Sequence, residues 1–337
     1  MSRVSVIGAG SWGTAFTGLL AQNAGEIMLW ARREELATSI NQTHANPAYL
    51  ERYELSGNVV ATSSLEEAAA GSELVVLAVP STHLRGVCHN LAAYLDEKTP
   101  VVTLTKGVEP ESGLLMSEVA AAELGNPSRI FALSGPNHAE EVCREMYSAA
   151  VLAGENLPEA EAVRSLIATP AFRVYVSEDV KGVETCGAVK NVIAIACGIA
   201  AGSGLGDNTL ALIMTRGIAE IGRVVAATGG EPMTCMGLAG MGDLVATCTS
   251  EHSRNRRFGE AFARGESLAE FEAKSHMVVE GAHAAISVRE LAHAKGVEVP
   301  ITEAVWSLVH GGTSIDQVTA ALVGREPKRE FYGMSRE

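Results

Sequence analysis

The hydrophobic positions divide the chain into two halves of different character. Before about residue 180 they fall in short, nearly continuous runs at 3–7, 26–30, 73–79, 99–105, 130–133, 149–153 and 172–176. Amphipathic stretches at 11–23, 33–40 and 83–94 separate several of these runs. Runs of four to seven apolar residues bounded by turn residues read as strands buried on both faces, and the stretches between them read as helices. Strands alternating with helices predict a doubly wound, mostly parallel α/β sheet covered on both sides. After about residue 180 the period changes. Val183, Cys186, Gly187, Ile193, Ala194 and Cys197 recur at helical spacing, and helical patterns continue at 210–227, 256–264, 282–295 and 301–310. No convincing strand follows. The expectation is an N-terminal α/β domain over 1–182 and an all-helical domain over 183–337, with a polar tail at 327–337 that frays.

Composition narrows the partners. The 337 residues carry a formal net charge of −14, which argues against nucleic acid or an anionic membrane as a partner. A phosphate site on such a chain must be a local cluster of cations working against the global field. The six cysteines show no CxxC pair and no zinc-like spacing, so no metal site is expected and a reducing cytoplasm fits. Met1-Ser2-Arg3 leads straight into the first strand, so no signal segment is expected. No uninterrupted apolar run reaches ~18 residues, so no membrane span is expected either.

Gly8-Ala9-Gly10-Ser11-Trp12-Gly13 is a GxGxxG placed between a strand and an amphipathic helix. That setting is what the dinucleotide fingerprint requires. Gly8 permits the tight turn, Gly10 leaves room for a pyrophosphate, and Gly13 lets helix pack on strand. Backbone N–H groups at the helix start then face the phosphates. The second strand ends in Ala31-Arg32-Arg33, where an NAD-selective site usually carries a carboxylate for the ribose 2′-hydroxyl. Arg32 and Arg33 suit a 2′-phosphate instead, so NADP(H) is expected to bind well alongside NAD(H). Two solvated arginines opening a helix is the competing reading.

Lys190 lies on the apolar stripe of the helix at 182–202. A lysine there must be paired, reach water along its stem, or lose its proton. Desolvation and a neighbouring cation both lower its pKa, which suits an acid or base near neutrality. Lys106, in Thr105-Lys106-Gly107 at a strand end, is a candidate for orienting substrate and for depressing Lys190. Gly135 and Asn137, in Ser134-Gly135-Pro136-Asn137-His138-Ala139, can present polar groups to a ligand, with Ala139 beside a nicotinamide. Asp243 follows a glycine-rich stretch and either caps a helix, orients Lys190 or accepts a substrate hydroxyl. Ser253-Arg254-Asn255-Arg256-Arg257 clusters cations at a helix start, where Ser253 can cap and Arg254 and Asn255 can bind phosphate.

Together these motifs resemble the bacterial NAD-dependent glycerol-3-phosphate dehydrogenase family: GAGSWGTA at 8–15, TKG at 105–107, SGP at 134–136, AVKNV at 188–192, GLAGMGDL at 237–244 and SRNRR at 253–257. The resemblance implies a Rossmann-like domain followed by a helical one. It implies reduction of dihydroxyacetone phosphate to sn-glycerol 3-phosphate, a cytoplasmic homodimer, and a role in phospholipid synthesis. By it, Lys190 is the proton donor and acceptor. Lys106, Gly135, Asn137, Lys190, Asp243, Ser253, Arg254 and Asn255 contact substrate. Gly8, Gly10, Ser11, Trp12, Gly13, Arg32, Arg33, Lys106, Ala139, Arg254, Val278 and Glu280 line the cofactor site. The family usually reads Gly-Pro-Ser/Thr-Phe-Ala where this chain has Gly135-Pro136-Asn137-His138-Ala139, which puts the substrate contact at 137 in question. Two alternatives are a β-hydroxyacid dehydrogenase of similar layout and a non-catalytic dinucleotide sensor. The first has less use for the arginine cluster, and the second has none for Lys190 with Asp243 and Arg254.

Overall fold

The computed structural model describes residues 2–275, 278–330 and 332–334. The chain divides into two compact units, one of residues 1–105 and 116–180, the other of 106–115 and 181–337.

The first unit is built on ten strands: β1 (Arg3–Ile7), β2 (Glu26–Trp30), β3 (Ala45–Asn46), β4 (Leu50–Glu54), β5 (Val59–Thr62), β6 (Leu74–Leu77), β7 (Val101–Thr103), β8 (Ile130–Ser134), β9 (Ser148–Ala153) and β10 (Phe172–Ser177). Between them run α1 (Ser11–Leu20), α2 (Glu34–Thr43), α3 (Leu65–Ala69), α4 (Ser81–Leu91), α5 (Met116–Leu124), α6 (Ala139–Val142) and α7 (Leu157–Ile167). Eight strands form one sheet in the order β10-β9-β8-β7-β6-β1-β2-β5, and every pairing except β8–β9 is parallel. The all-parallel run β5-β2-β1-β6-β7-β8 has the 3-2-1-4-5-6 order of a dinucleotide-binding sheet, whose direction of winding reverses between β1 and β6. Leu74 to Leu77 in β6 and Ile130 to Ser134 in β8 are wholly buried, as strands covered on both faces must be. Every strand expected from the apolar runs is present within a residue or two of its expected ends. β5 and the β3–β4 hairpin carried no comparable run and went unread.

The second unit is helical: α8 (Val180–Gly202), α9 (Asp207–Thr228), α10 (Asp243–Thr249), α11 (Arg254–Ala263), α12 (Leu268–Ser275), α13 (Glu280–Ala294), α14 (Pro300–Val309) and α15 (Ile315–Val323). Among its described residues the only β pairing is an isolated bridge, Val108–Leu115, in the segment 106–115. α8 is the one described helix long and apolar enough to cross a membrane, but most of it is buried in the protein, as a core helix is. Glycines set how closely it is approached. A Cβ on Gly198 would stand 2.1 Å from the Arg256 carbonyl oxygen, and one on Gly259 would stand 2.3 Å from the Ile195 carbonyl oxygen. α8 and α11 therefore touch backbone to backbone. Within the described part of the tail, fraying was expected but contacts are made: Lys328 pairs with Glu298 at 2.6 Å, and Tyr332 lies under the Arg223 guanidinium at 4.5 Å. The rest of the expected tail, Phe331 and residues 335–337, lies outside the described residues.

Candidate active site

In the first unit the glycine motif opens α1 directly after β1. Gly8 has φ +123°, and a Cβ on it would meet the Ala78 carbonyl oxygen at 2.5 Å, just beyond the end of β6. Gly8 thus sits at the switch point between β1 and β6, in a conformation and a space that exclude a side chain. A Cβ on Gly13 would collide with the Gly8 carbonyl oxygen at 1.9 Å, so helix and loop pack as closely as the motif implies. Gly10 differs: a Cβ there meets nothing within 4 Å, and Gly10 caps α1 without any side-chain hydrogen bond. The helix start presents backbone donors to open space, as a pyrophosphate requires. Ser11 and Trp12 form the first turn, and Trp12 is steadied edge-on by Phe16 at 5.4 Å. Arg32 and Arg33 are exposed at the end of β2. The donor set fits a dinucleotide.

The turn after β8 holds Gly135, Asn137 and Ala139. Gly135 has φ +156°, and a Cβ on it would stand 2.7 Å from the Ala149 carbonyl oxygen. Asn137 donates to that same carbonyl at 3.0 Å, whereas its Oδ1 and the neighbouring Ser134 hydroxyl are buried with no hydrogen-bond partner. Buried polar atoms of this kind need a partner that the protein itself does not supply, whether an ordered water or a ligand group. Ala139 opens α6, and His138 is its N-cap residue without capping through its ring.

In the second unit three residues distant in sequence converge. Lys190 is 6% exposed, and its Nζ donates to Asp243 Oδ1 at 2.6 Å and to Thr247 Oγ1 at 2.7 Å. The other carboxylate oxygen, Asp243 Oδ2, accepts from Lys106 Nζ at 2.6 Å. Asp243 begins α10 but does not cap it: its side chain turns to the two ammonium groups. Thr247, one turn later, also donates to the Asp243 carbonyl at 2.6 Å, which leaves its hydroxyl lone pairs facing Lys190. One buried carboxylate between two ammoniums leaves the cluster with an excess positive charge.

The charges tune one another. Burial is the largest influence on Lys190 and, with the Lys106 charge, outweighs Asp243 to pull its pKa from 10.5 down to about 8. Burial pushes the Asp243 carboxyl up, but Lys106 and Lys190 more than offset this and hold it below the ordinary carboxylate range. Asp243 therefore stays ionised at neutral pH, whereas Lys190 is poised to give up a proton.

The arginine-rich segment lies at the start of α11, beside the same helix α8. Ser253 caps α11 by accepting from the Arg256 N–H at 3.3 Å. Asn255 is buried, donates to Asn191 Oδ1 at 3.0 Å and accepts from the Gly281 N–H at 2.9 Å. It ties α11 to the residue following Lys190 and to the start of α13. Arg254 is exposed, with its guanidinium 3.5 Å from the Val278 carbonyl oxygen. Glu280 opens α13 one residue before the Gly281 contact. Arg256 contributes less than the sequence cluster suggested, because it pairs with Glu260 at 3.0 Å and donates to the Thr249 carbonyl. Thr247 and Asn191 are the two site residues that sequence reasoning missed. Thr247 was detectable as the i+4 partner of Asp243, and Asn191 as the immediate neighbour of Lys190. Among the described residues no group of acidic, histidine and cysteine side chains could hold a metal ion.

Comparison with known proteins agrees with this geometry. Residues 3–160 match the family described as NAD-dependent glycerol-3-phosphate dehydrogenase N-terminus, and residues 179–320 match its C-terminus. The chain is 47% identical to glycerol-3-phosphate dehydrogenase [NAD(P)+] of Corynebacterium aurimucosum, over 98% of this chain and 100% of that one. It is also 47% identical to the protein of the same name from Nocardia farcinica, with the same coverage. The crystal structure of glycerol-3-phosphate dehydrogenase from Coxiella burnetii superposes with a TM-score of 0.92 at 35% identity, covering 96% of this chain and 99% of that one. With its glycine loop, buried lysine and both halves matched in order, the chain belongs to the NAD-dependent glycerol-3-phosphate dehydrogenase family.

Proposed function

We propose that Lys190 is the proton donor and acceptor in the reversible reduction of dihydroxyacetone phosphate to sn-glycerol 3-phosphate, with NADPH or NADH as reductant. The chain is an NAD(P)-dependent oxidoreductase of that specificity, as its full-length relatives are named. The observation that carries the catalytic reading is the buried Lys190 ammonium held by Asp243 and Thr247. When bound, the nicotinamide supplies the hydride to C2 of the ketone or takes it back. Gly8, Gly10, Ser11, Trp12 and Gly13 hold the coenzyme pyrophosphate, and Arg32 and Arg33 grip a 2′-phosphate. Ala139, Lys106, Arg254, Val278 and Glu280 complete the cofactor lining.

Lys190 gives its proton to the C2 oxygen as negative charge develops there, and recovers it in the reverse direction. A pKa near 8 makes either transfer accessible around neutral pH. Asp243 keeps the lysine stem in one orientation and keeps enough charge on it to prevent outright deprotonation. Lys106 neutralises the second carboxylate oxygen and adds positive potential where the oxyanion forms. Ser253, Arg254 and Asn255 receive the substrate phosphate at the start of α11, where the helix dipole and a guanidinium favour an anion. Gly135 and Asn137 face the triose, and the unpartnered Asn137 oxygen gives it an acceptor for a substrate hydroxyl. On this reading residues 1–182 carry the glycine loop and most of the cofactor contacts, and residues 183–337 carry Lys190, Asp243 and the phosphate-binding segment. Lys106, Gly135 and Asn137 reach the substrate from the first stretch, and Arg254, Val278 and Glu280 reach the cofactor from the second. We place the enzyme in the cytoplasm as a homodimer that supplies glycerophospholipid synthesis.

Loss of NADPH absorbance on adding dihydroxyacetone phosphate tests the function. The expected result is rapid, phosphate-dependent oxidation, with unphosphorylated dihydroxyacetone far slower. Preferential turnover of 3-hydroxy acids would restore the β-hydroxyacid alternative, and cofactor binding without turnover would restore the sensor.

A further inference from the structure

Asn46 is fully buried, 0% exposed, on the two-residue strand β3. Its side-chain nitrogen donates to the Ala9 carbonyl at 2.9 Å and to Thr14 Oγ1 at 2.8 Å, and its oxygen accepts from the Ala48 N–H at 3.2 Å. Ala9 is the residue between the first two glycines of the GxGxxG motif, and Thr14 closes the first turn of α1 onto the Gly10 carbonyl at 2.9 Å. One amide from a distant hairpin thus grips the loop and the helix that follows it.

The direction of the grip matters. In a trans peptide the C=O and the following N–H point opposite ways. With the Ala9 carbonyl turned to Asn46, the Gly10 N–H is turned away from the hairpin, as the loop's donors must be to reach a pyrophosphate. The hairpin is itself anchored on α1. A Cβ on Gly18 would stand 1.9 Å from the Tyr53 hydroxyl, so β4 seats against the helix only because residue 18 is glycine. Main-chain pairing of Ala45 with Glu54 and of Leu55 N–H with the His44 carbonyl at 2.6 Å closes the hairpin base.

We propose that Asn46 is a positioning residue of the cofactor site, fixing the Ala9–Gly10 peptide so that its N–H is set for the dinucleotide phosphates. The inference rests on the assignment of Gly8–Gly13 to the cofactor. An amide is needed because it must donate to two acceptors at once. A carboxylate of the same shape would face the Ala9 carbonyl with lone pairs, and alanine would leave that peptide free to turn.

The test compares Asn46→Ala and Asn46→Asp with Asn58→Ala in the full-length protein. Asn58 donates to the Ala21 and Ala24 carbonyls at 3.1 and 3.0 Å at the far end of α1, so it reports the purely structural cost of losing such an amide. NADPH affinity is read by titration calorimetry, stability by thermal denaturation, and kcat and KM by the absorbance assay. Both Asn46 variants are expected to raise the Kd and KM for NADPH about tenfold, with kcat and the triose KM within about twofold. Asn58→Ala is expected to lower Tm comparably while leaving the NADPH Kd unchanged. Should Asn46→Ala not fold, the near-isosteric Asn46→Asp carries the comparison. NADPH binding within about twofold of wild type in a folded Asn46 variant would overturn the proposal. Wild-type protein that binds no NADPH would overturn the cofactor assignment, and this inference with it.

Discussion

Replacing Asp243 by asparagine keeps the shape of the site and removes the carboxylate that does most to hold the Lys190 proton. In the native protein burial and Lys106 lower the Lys190 pKa and Asp243 raises it, with the balance at about 8. Without the carboxylate the main raising influence is gone while burial and Lys106 still lower it, so the pKa falls further. At pH 7 a lysine of pKa 8 is about nine-tenths protonated; one unit lower leaves about half, and two units about a tenth. Loss of the proton donor alone therefore slows ketone reduction at pH 7 by about two- to tenfold, and loss of the fixed orientation adds to that. Folding should survive. Holding Lys190 at about 8 already costs about 3 kcal/mol, and complete deprotonation at pH 7 caps the cost at about 5 kcal/mol. The variant thus loses about 1–2 kcal/mol through Lys190, because the lysine sheds its proton rather than stay charged and unpaired. The assay is the pH profile of kcat/KM in both directions, for wild type and Asp243→Asn. Wild-type reduction should fall, and oxidation rise, as pH passes about 8. Both limbs should move to lower pH by about one unit or more in the variant. A limb near pH 6 belongs to the substrate phosphate and should not move. Unchanged or upward-shifted Lys190 limbs would refute the electrostatic argument.

Other substitutions address other parts of the account. Lys190→Ala should lower kcat by about a hundredfold or more while NADPH still binds with near-native affinity; near-normal turnover would remove Lys190 from the mechanism. Arg32→Ala with Arg33→Ala should weaken NADPH about tenfold, measured by calorimetry, and leave NADH nearly unchanged; equal losses would show that the pair does not read the 2′-phosphate. Gly198→Ala places a Cβ 2.1 Å from the Arg256 carbonyl oxygen, so α8 and α11 must separate, with a stability loss of about 1–3 kcal/mol by denaturant titration. A neutral result there would mean that the close helix contact is dispensable.

The sheet was legible because parallel strands buried on both faces leave uninterrupted apolar runs, as in 74–77 and 130–134. The glycine turn after β1 was legible because close backbone approach demands glycine at fixed intervals. The β3–β4 hairpin was not, because its sequence LERYE alternates weakly and its fold is set by Tyr53 against Gly18, a contact between distant residues. Lys190 stood out as a charge in an apolar helix. Its partners were harder to read: Lys106 and Asp243 are separated by 137 positions, and only the fold brings them to one carboxylate. Asn255 was read as a phosphate ligand from its cationic neighbours, yet the structure also gives it the Asn191 and Gly281 contacts that brace the site. Sequence spacing identifies the residue types suited to a reaction and leaves their tertiary partners hidden.

For Lys190 to act as proposed, the ammonium held by Asp243 and Thr247 must meet the oxygen on C2 of the triose. A crystal structure with NADP+ and sn-glycerol 3-phosphate bound tests it most directly. Lys190 Nζ should lie within hydrogen-bond reach of the C2 oxygen, about 3 Å. An Nζ left more than about 5 Å away, with another side chain on that oxygen, would contradict it.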